Sequence, residues 1–236
     1  CKVNPLTGNV LEELGADAYG GPPAGEFSRT NPTFGAGGAV LQGARGEVVA
    51  LQVVVDPSAG TQPRVTLRYG PSGDTPMPAP VGIYRNWYVR DSDAWYAEYM
   101  VPLDESGLII PSQDNRVPGQ RNQAFTLIWE VPRDLPPGSR TGSISIQAGE
   151  ARVQLPLTLQ VKPFEVPVAT GFDIDLNCYG PVCEQRDFAT YLRWERAYYA
   201  AAHALRCNLN PLGYSQSGSV YRGFAPTVEG EGADTR

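Results

Sequence analysis

An apolar run at residues 48–55 and, after it, short stretches in which apolar and polar residues alternate follow one another as far as residue 161. This two-residue period is typical of β-strands that bury one face, and no helical period occurs before residue 165. Gly, Pro, Asp or Ser separates most of the stretches, as expected of turns between strands. The pattern predicts seven strands, at residues 48–55, 64–69, 81–89, 95–101, 124–131, 142–147 and 152–161.

Many short strands without intervening helices favour a mainly β fold, an antiparallel β-sandwich of the Ig-like or jelly-roll-like kind. We assign this sandwich to residues 39–165 and expect the turn-rich residues 1–38 to form an extended N-terminal arm. Gly149 and Glu150 join two alternating stretches and predict a hairpin turn. One face of the last strand should enter the core with Val153, Leu155, Leu157, Leu159 and Val161.

The pattern changes at Lys162, where Pro163 and Pro167 bracket a short link that predicts a domain boundary. Beyond this link, residues 171–177 and 208–212 predict two strands. Between the strands, apolar residues at spacings of three and four predict a helix over residues 184–206, with Tyr191, Trp194, Tyr198, Ala201 and Leu205 in one stripe. Residues 166–236 are therefore expected to form a strand–helix–strand segment, the first unit of a parallel α/β fold.

Composition narrows the class of protein. The 236 residues include 26 glycines and 22 prolines, and 42% of the chain is hydrophobic, which fits a folded, turn-rich domain rather than a disordered tail. The chain has 19 basic and 25 acidic residues, for a net charge of −6. This charge and the lack of a basic stripe exclude nucleic acid as an expected partner, because nucleic-acid binding requires neutralisation of phosphates.

Four cysteines bear on the redox compartment. Cys178 and Cys183 flank a Gly-Pro turn, which favours a disulfide between them and therefore an oxidising compartment. Zinc binding is the alternative; it is disfavoured because His203 is the single histidine and no paired C-x2-C motif occurs. We expect no metal, and no phosphate-binding loop or other motif indicates a cofactor.

Cys1 is the first residue of the sequence, with no initiator methionine or signal peptide before it. One interpretation is a mature bacterial lipoprotein, cleaved before a cysteine that then bears lipid. The alternative is that the sequence begins at an arbitrary position. No apolar run approaches the roughly 20 residues of a membrane span, so we expect membrane contact only through such a lipid. The expected location is outside the cytoplasm: the bacterial cell surface, the periplasm or the extracellular space.

Two stretches of the chain resemble a known family. The first comprises VPLDESGLIIP at 101–111 and GQRNQAFTLIWEVPRDLPPGSRTGSISI at 119–146, followed by VQLPLTLQVKPFEVP at 153–167. The second comprises ERAYYAAAHALRCNLNPLGYSQSG at 195–218 and FAPTVEGEG at 224–232. Both are similar to bacterial glycoside-hydrolase-like proteins that contain the region called domain of unknown function 4091, and together they cover about half of the chain.

The resemblance implies a sandwich packed on a (β/α)8 barrel that acts on or binds carbohydrate. A full barrel takes about 250 residues, whereas 69 residues follow Pro167. We therefore expect the sequence to be a fragment of a longer exported protein, with the sandwich as an accessory domain and a truncated barrel in residues 166–236. On this interpretation most catalytic residues lie elsewhere in the full protein, and the 236 residues alone are not expected to be active.

Polar residues in the strand–helix–strand segment supply the candidate site. Positions 173, 175 and 177 share one face of the predicted strand, whereas a buried parallel strand is usually apolar on both faces. Barrel sites lie at the carboxyl ends of strands, so polar residues of the next strand are their expected neighbours. The candidate substrate-binding residues are Asp173, Asp175, Asn177, Asn208, Asn210 and Tyr214. We interpret them as substrate-positioning groups; catalysis by the two aspartates and structural hydrogen bonding are the alternatives.

Two functions compete with a hydrolase fragment: a non-catalytic surface lipoprotein module that binds polysaccharide or a protein partner, and a structural subunit of a larger assembly. An aromatic-rich pair of strands bears on the first of these. Its side chains predict core or interface packing, and the alternative is a platform for sugar rings. These residues are Tyr84, Trp87, Tyr88, Trp95, Tyr96 and Tyr99. Fold alone does not decide between the functions.

Overall fold

The computed structural model describes residues 3–6, 37–57, 61–91, 94–168, 171, 173–179 and 187–212. The chain divides into two compact units, Cys1–Val166 (unit 1) and Pro167–Arg236 (unit 2). The described elements of unit 1 are all strands, and those of unit 2 are two strands and one helix. The protein is therefore mainly β, as the alternating pattern predicts.

Unit 1 forms two sheets. Its described strands are β1 (Ala39–Arg45), β2 (Val48–Val55), β3 (Arg64–Pro71), β4 (Gly82–Asp91), β5 (Ala94–Pro102), β6 (Leu108–Ile109), β7 (Gln123–Glu130), β8 (Gly138–Ala148) and β9 (Ala151–Glu165). The five-stranded sheet has the order β1-β9-β8-β3-β6, and the four-stranded sheet has the order β2-β7-β4-β5.

The expectation of a purely antiparallel arrangement is wrong at one edge. β1 pairs with β9 in parallel, whereas all other neighbouring strands of unit 1 are antiparallel. Antiparallel pairing follows readily when a short hairpin joins two strands. β1 and β9 are the first and last described strands of the unit, so no hairpin joins them to constrain their relative direction.

One hydrophobic core receives side chains from both sheets. Phe125, Leu127 and Trp129 alternate along β7 and are fully buried. Leu157 and Leu159 of β9 enter the same core from the five-stranded sheet with the same two-residue period. Burial of each such side chain contributes roughly 1.5–3 kcal/mol, so this shared core is the main source of stability in unit 1.

The strand predictions are confirmed where the alternation is strong. β2 has the predicted bounds, and β8 and β9 pair outward from Ala148 and Ala151, which confirms the turn at Gly149 and Glu150. Val153 is a wrong prediction: it is 52% exposed, because β9 is long and its first residues extend beyond the core. The strands β1 and β6 were not predicted, since β1 contains a glycine and β6 has two residues.

The V-P-R-D segment after β7 closes one end of unit 1. The Arg133 guanidinium donates to a carboxylate oxygen of Glu165 and, at 2.8 Å, to the carbonyl oxygen of Val166. Gly46, with φ of 77°, lies beneath this guanidinium, and an added Cβ would come within 2.8 Å of the guanidinium carbon. Only glycine allows both this backbone conformation and this close approach. The segment therefore has a structural role, since it ties the β1–β2 turn to the end of β9.

The N-Q pair at the start of β7 belongs to a buried polar network. The Gln123 side chain donates to the backbone oxygen of Asn86 at 2.7 Å and accepts from Gln120 at 3.0 Å. The Asn122 side chain donates to the carbonyl oxygen of Asn4 at 3.2 Å. Buried polar groups require hydrogen-bond partners, and these bonds hold the loop before β7 against β4 and against the described N-terminal residues.

Unit 2 contains β10 (Asp175–Tyr179), the helix α1 (Phe188–Ala204) and β11 (Asn208–Leu212). The two strands pair in parallel, with the helix between them in the sequence. Asp187 caps the helix, because its carboxylate accepts a hydrogen bond from the backbone nitrogen of Thr190 at 2.8 Å. The hydrogen bonds of the Asp187 carboxylate with Thr190 lower the pKa of Asp187. The predicted helix began at residue 184, but residues 180–186 lie outside the described part of the chain.

The predicted apolar stripe of α1 is buried only in part. Tyr191 is 2% exposed, whereas Trp194 and Tyr198 are each 46% exposed and Leu205 is 70% exposed. β10 and β11 therefore do not cover the aromatic face of the helix. The helix ends where Arg206 adopts a φ of 60°, a left-handed conformation that turns the chain into β11.

We predict that Gly107→Ala destabilises unit 1 by about 1–3 kcal/mol. Gly107 has φ of 75°, and an added Cβ would lie 2.1 Å from the carbonyl oxygen of Val65, so the β3–β6 pairing would have to shift. Chemical denaturation measures the loss. Gly37→Ala is the matched control, because an added Cβ there meets open space. Equal stability of the two variants would contradict the prediction.

Candidate functional site

Four of the six candidate site residues lie together on the paired strands of unit 2. The parallel register places Asp175 opposite Asn208 and Asn177 opposite Asn210. Opposed residues of neighbouring strands, and residues two apart along one strand, point to the same side of a sheet. These four residues therefore form a polar quartet on one face, with spacings of about 4.8 Å across the strands and about 6.6 Å along them.

The remaining two candidates are not part of this quartet. Asp173 is exposed and lies two residues before the start of β10. Tyr214 lies outside the described residues. The parallel register thus brings together the polar residues of β10 and β11. A role of any of the six candidate residues in binding stays a prediction.

The polar quartet is accessible to a ligand. Asp175, Asn177 and Asn208 are exposed and Asn210 is half-buried. Within the described part of the chain, none of the four side chains makes a hydrogen bond, so their polar groups are available. Each asparagine offers donors and an acceptor, and the aspartate offers acceptors. This combination suits a ligand with many hydroxyl groups, since a hydroxyl both donates and accepts.

The arrangement suits positioning of a ligand rather than acid–base chemistry. Glycoside hydrolysis commonly uses two carboxyl groups on either side of the scissile bond, about 5–9.5 Å apart. The polar quartet contains one carboxylate, that of Asp175, and the second predicted aspartate, Asp173, comes from the same stretch of chain rather than from a facing strand. A catalytic pair would need a carboxyl group from another element.

The predicted disulfide and lipid anchor fall largely outside the described residues. The backbone of Cys178 belongs to β10, but Cys183 and Cys1 are not described. Among the described residues Cys207 is free, and its thiol donates to the carbonyl oxygen of Leu205 at 3.3 Å. The disulfide and the lipid at Cys1 therefore stay predictions.

The described residues contain neither a metal-binding cluster nor a membrane-spanning helix. No group of three or more His, Cys, Asp and Glu side chains comes together there in a way that could hold a metal ion. No helix among those residues has the length and apolar character needed to cross a bilayer.

The aromatic residues of β4 and β5 divide between the interior and the surface. Tyr88 is buried, and its hydroxyl accepts a hydrogen bond from the backbone nitrogen of Ala124 at 2.9 Å. Burial raises the pKa of Tyr88. Trp87 is half-buried, with the Arg85 guanidinium carbon 5.1 Å from its ring centroid, and the opposing Tyr99 is 61% exposed. Packing therefore accounts for Tyr88, while Trp87 and Tyr99 retain accessible ring surface.

A charged pair anchors the loop between β6 and β7 to β4. The Arg85 guanidinium donates two hydrogen bonds to the Asp114 carboxylate, at 2.8 and 2.5 Å, in a fork geometry. Asp114 also accepts a bond from the Ser112 hydroxyl at 2.6 Å. The hydrogen bond from Arg85 is the main cause of a lowered pKa of Asp114, and the bond from Ser112 lowers this pKa further. The same bond to Asp114 raises the pKa of Arg85.

A second polar surface, which was not predicted, lies on the five-stranded sheet. Along β3, polar side chains alternate with Val65 and Leu67, which enter the core, so the polar ones face away from it. They line an open depression of about 400 Å³ together with polar residues of β8 and β9. We call this surface the arginine groove; it is formed by Arg64, Thr66, Arg68, Ser145, Gln147, Gly149 and Arg152.

The comparison with known proteins identifies similar folds. No protein-family model and no curated protein sequence matches the chain. Among solved structures, the chain is similar to a family 123 glycoside hydrolase from Clostridium perfringens, analysed for glycolipid glycan hydrolysis. That match has a TM-score of 0.51 and 11% identity, and covers 70% of this chain and 32% of the enzyme. The chain thus spans about a third of that enzyme's length, and the likeness concerns the fold.

Two further similarities are weaker. The CooA pilin subunit from enterotoxigenic Escherichia coli matches with a TM-score of 0.31 and 14% identity, over 59% of this chain and 95% of the pilin. The sialic acid binding region of a Streptococcus sanguinis adhesin matches with a TM-score of 0.27 and 16% identity, over 76% of this chain and 41% of that region. Neither score supports a conclusion. A family 123 glycoside hydrolase is thus a distant structural neighbour of this chain, while the finer assignment to domain of unknown function 4091 stays a prediction.

We predict that Asp114→Asn lowers the stability of unit 1 by about 1 kcal/mol at neutral pH, a modest value because the Asp114 side chain is 53% exposed. The folded state holds the Asp114 pKa below its ordinary value, so its contribution is complete above about pH 4. It is lost as the pH falls toward the lowered pKa of the folded state. Urea denaturation of both proteins from pH 7 to pH 3 measures the difference, which should shrink with acidity.

Asp134→Asn is the control for this measurement, since Asp134 is an exposed carboxylate on the loop between β7 and β8. We expect it to change stability by less than about 0.5 kcal/mol at any of these pH values. If Asp114→Asn leaves both the stability and its pH dependence as in the wild type, the charged pair does not anchor the loop.

Proposed function

We propose that this chain is part of a longer glycoside-hydrolase-like protein. In this proposal unit 1 is a β-sandwich accessory domain, and unit 2 begins a (β/α)8 barrel in which the polar quartet positions a saccharide. The observation that supports it most is the in-register set of four polar residues on one face of a parallel strand pair. Parallel strands otherwise tend to be apolar on both faces, so polar residues there favour a site.

The barrel part of the proposal is supported by the outer edges of β10 and β11, which pair with no other described strand. Within the described residues β10 and β11 pair only with each other, and a two-stranded sheet is marginal in water. Parallel sheets occur almost only with both faces covered by helices. The exposed rings of Trp194 and Tyr198 on α1 also lack a covering element. Further strands and helices of a barrel would pair the strand edges and cover these rings.

The sandwich part is supported by the shared core of unit 1, since two sheets that bury alternate side chains in one core are the basis of a sandwich. The resemblance of residues 101–167 to glycoside-hydrolase-like proteins and the distant likeness to a family 123 glycoside hydrolase favour the same interpretation. That neighbour hydrolyses glycans of glycolipids; for this chain we propose carbohydrate as the ligand without naming the sugar.

The proposed role of the quartet is to hold sugar hydroxyl groups while other residues perform the chemistry. In barrel enzymes the catalytic residues come from the carboxyl ends of several strands. Asn177 and Asn210 lie farther toward those ends than Asp175 and Asn208.

The proposal also includes export of the protein and a disulfide between Cys178 and Cys183.

We predict that Asn177→Ala and Asn210→Ala each weaken the intact protein's use of a glycoside about tenfold in kcat/KM. Each change removes hydrogen bonds of about 0.5–1.5 kcal/mol with the sugar. A panel of aryl glycosides and oligosaccharides identifies the substrate, and steady-state kinetics on that substrate measure the loss. Gln42→Ala, which removes an exposed amide from β1, is the matched control and should change kcat/KM less than twofold.

Two results would contradict the proposed function. One is an intact protein that neither cleaves nor binds any member of the panel. The other is binding or cleavage that the two asparagine variants leave unchanged, because the quartet would then have no part in it. Circular dichroism of each variant confirms that the fold is retained.

A further inference from the structure

The arginine groove is a positively charged surface on a protein whose net charge is −6. Arg64 and Arg68 lie on β3, about 13 Å apart along the strand. Arg152 lies two strands away on β9, about 10 Å across the sheet. The three side chains therefore surround a depression rather than forming a line, and the described residues that line it include no carboxylate.

The guanidinium groups keep most of their hydrogen-bond donors available. Arg68 makes no hydrogen bond and no ion pair with the described residues. Arg152 uses Nε to donate to the Ser145 hydroxyl at 3.1 Å, which directs its two terminal nitrogens elsewhere. Arg64 donates from one terminal nitrogen to the carbonyl oxygen of Ser106 at 3.0 Å. The terminal nitrogens of Arg68 and Arg152 are therefore the groups best placed to receive an anion.

Two arginines elsewhere in unit 1 are held in ion pairs. Arg85 is paired with Asp114, and Arg133 with Glu165. The Asp104 carboxylate lies near Arg64 of the groove. Its pKa is lowered first by the hydrogen bond from Ser106 and in smaller part by the charge of Arg64. Arg64 is thus partly compensated, whereas Arg68 and Arg152 are not.

The lining between the arginines is polar but uncharged. Thr66 and Ser145 contribute hydroxyl groups, and Gln147 contributes an amide whose nitrogen donates to the turn at Gly149, at 3.2 Å, which leaves its oxygen to accept. The volume of about 400 Å³ lies within the range of about 300–1,000 Å³ found for small-molecule sites. A single water molecule occupies roughly 30 Å³ in the liquid, so the depression has room for more than a small ion.

We propose that the arginine groove binds an anionic saccharide, with Arg68 and Arg152 holding its carboxylate or sulfate group. The planar fork of arginine matches the oxygens of such a group, and the hydroxyl and amide groups of the lining match sugar hydroxyls. That the ligand is an anion follows from the charges of the groove alone. That the ligand is a saccharide rests on the proposed function. The groove lies on unit 1, so it is a binding site distinct from the polar quartet of unit 2.

The test compares labelled polysaccharides by fluorescence anisotropy with the intact protein. The probes are dextran sulfate and polygalacturonate as the anionic pair, neutral dextran, and a single-stranded DNA oligonucleotide. We expect binding of at least one anionic polysaccharide, with affinity that falls as salt is added, and at least tenfold weaker binding of neutral dextran. Competition between dextran sulfate and polygalacturonate then shows whether sulfate or carboxylate is preferred.

Variants locate the binding. Arg68→Gln combined with Arg152→Gln should weaken binding of the anionic polysaccharide at least tenfold. Arg121→Gln removes one positive charge from an exposed position outside the groove and should change the affinity less than twofold, which tests for a general effect of net charge. The Arg68/Arg152 double variant leaves the polar quartet intact, so its loss of anion binding is read separately from the loss of kcat/KM in Asn177→Ala, and failure of the groove is distinguished from failure of the quartet.

Four outcomes would contradict the proposal. No binding of either anionic polysaccharide removes the site, and equal affinity of wild type and the Arg68/Arg152 double variant places the binding elsewhere. DNA binding as tight as polysaccharide binding, or displacement of the polysaccharide by inorganic sulfate at an equal concentration of sulfate groups, shows that charge alone is recognised. In that case the saccharide part is wrong.

Discussion

Unit 1 depends on one constraint, the burial of every second side chain of both sheets in a single core. Val65 and Leu67 of β3 meet this constraint by pointing inward, and the pleat of the strand then turns Arg64, Thr66 and Arg68 outward. The positions available for the arginine groove are thus fixed by the core itself. A shift of β3 by one residue would bury arginines and expose the apolar residues, so the core and the groove share one register.

The residues that resemble glycoside-hydrolase-like proteins in unit 1 have mainly structural contacts. Arg133 of the V-P-R-D segment joins two ends of the unit, and Asn122 and Gln123 fill a buried polar network before β7. Thr141 of the T-G segment donates from its hydroxyl to the carbonyl oxygen of Ser72 at 2.5 Å. The resemblance is therefore informative about the fold, and the chemistry of any site has to be argued from other residues.

Sequence patterns predicted the features that depend on neighbours along the chain. The strand β2 follows from its apolar run, whereas the hairpin at Gly149 and the shared face of Asp175 and Asn177 follow from the two-residue period. Features set by pairing between distant strands escaped prediction. β1 needed its partner β9 to be recognisable as a strand, and Arg68 and Arg152 became neighbours only through the placement of β8 between β3 and β9. The exposed face of α1 likewise depends on what lies beside it, which periodicity does not specify.

The parallel pairing of β1 with β9 also has a consequence for biosynthesis. Among the described strands of unit 1, β1 leaves the ribosome first and β9 last, so β1 cannot pair with β9 until translation has passed residue 165. The hairpin of β4 and β5 can form long before that point, because its strands are adjacent in sequence. Until β9 arrives, β1 lacks the strand with which it pairs, and an unpaired strand edge of this kind favours aggregation of folding intermediates.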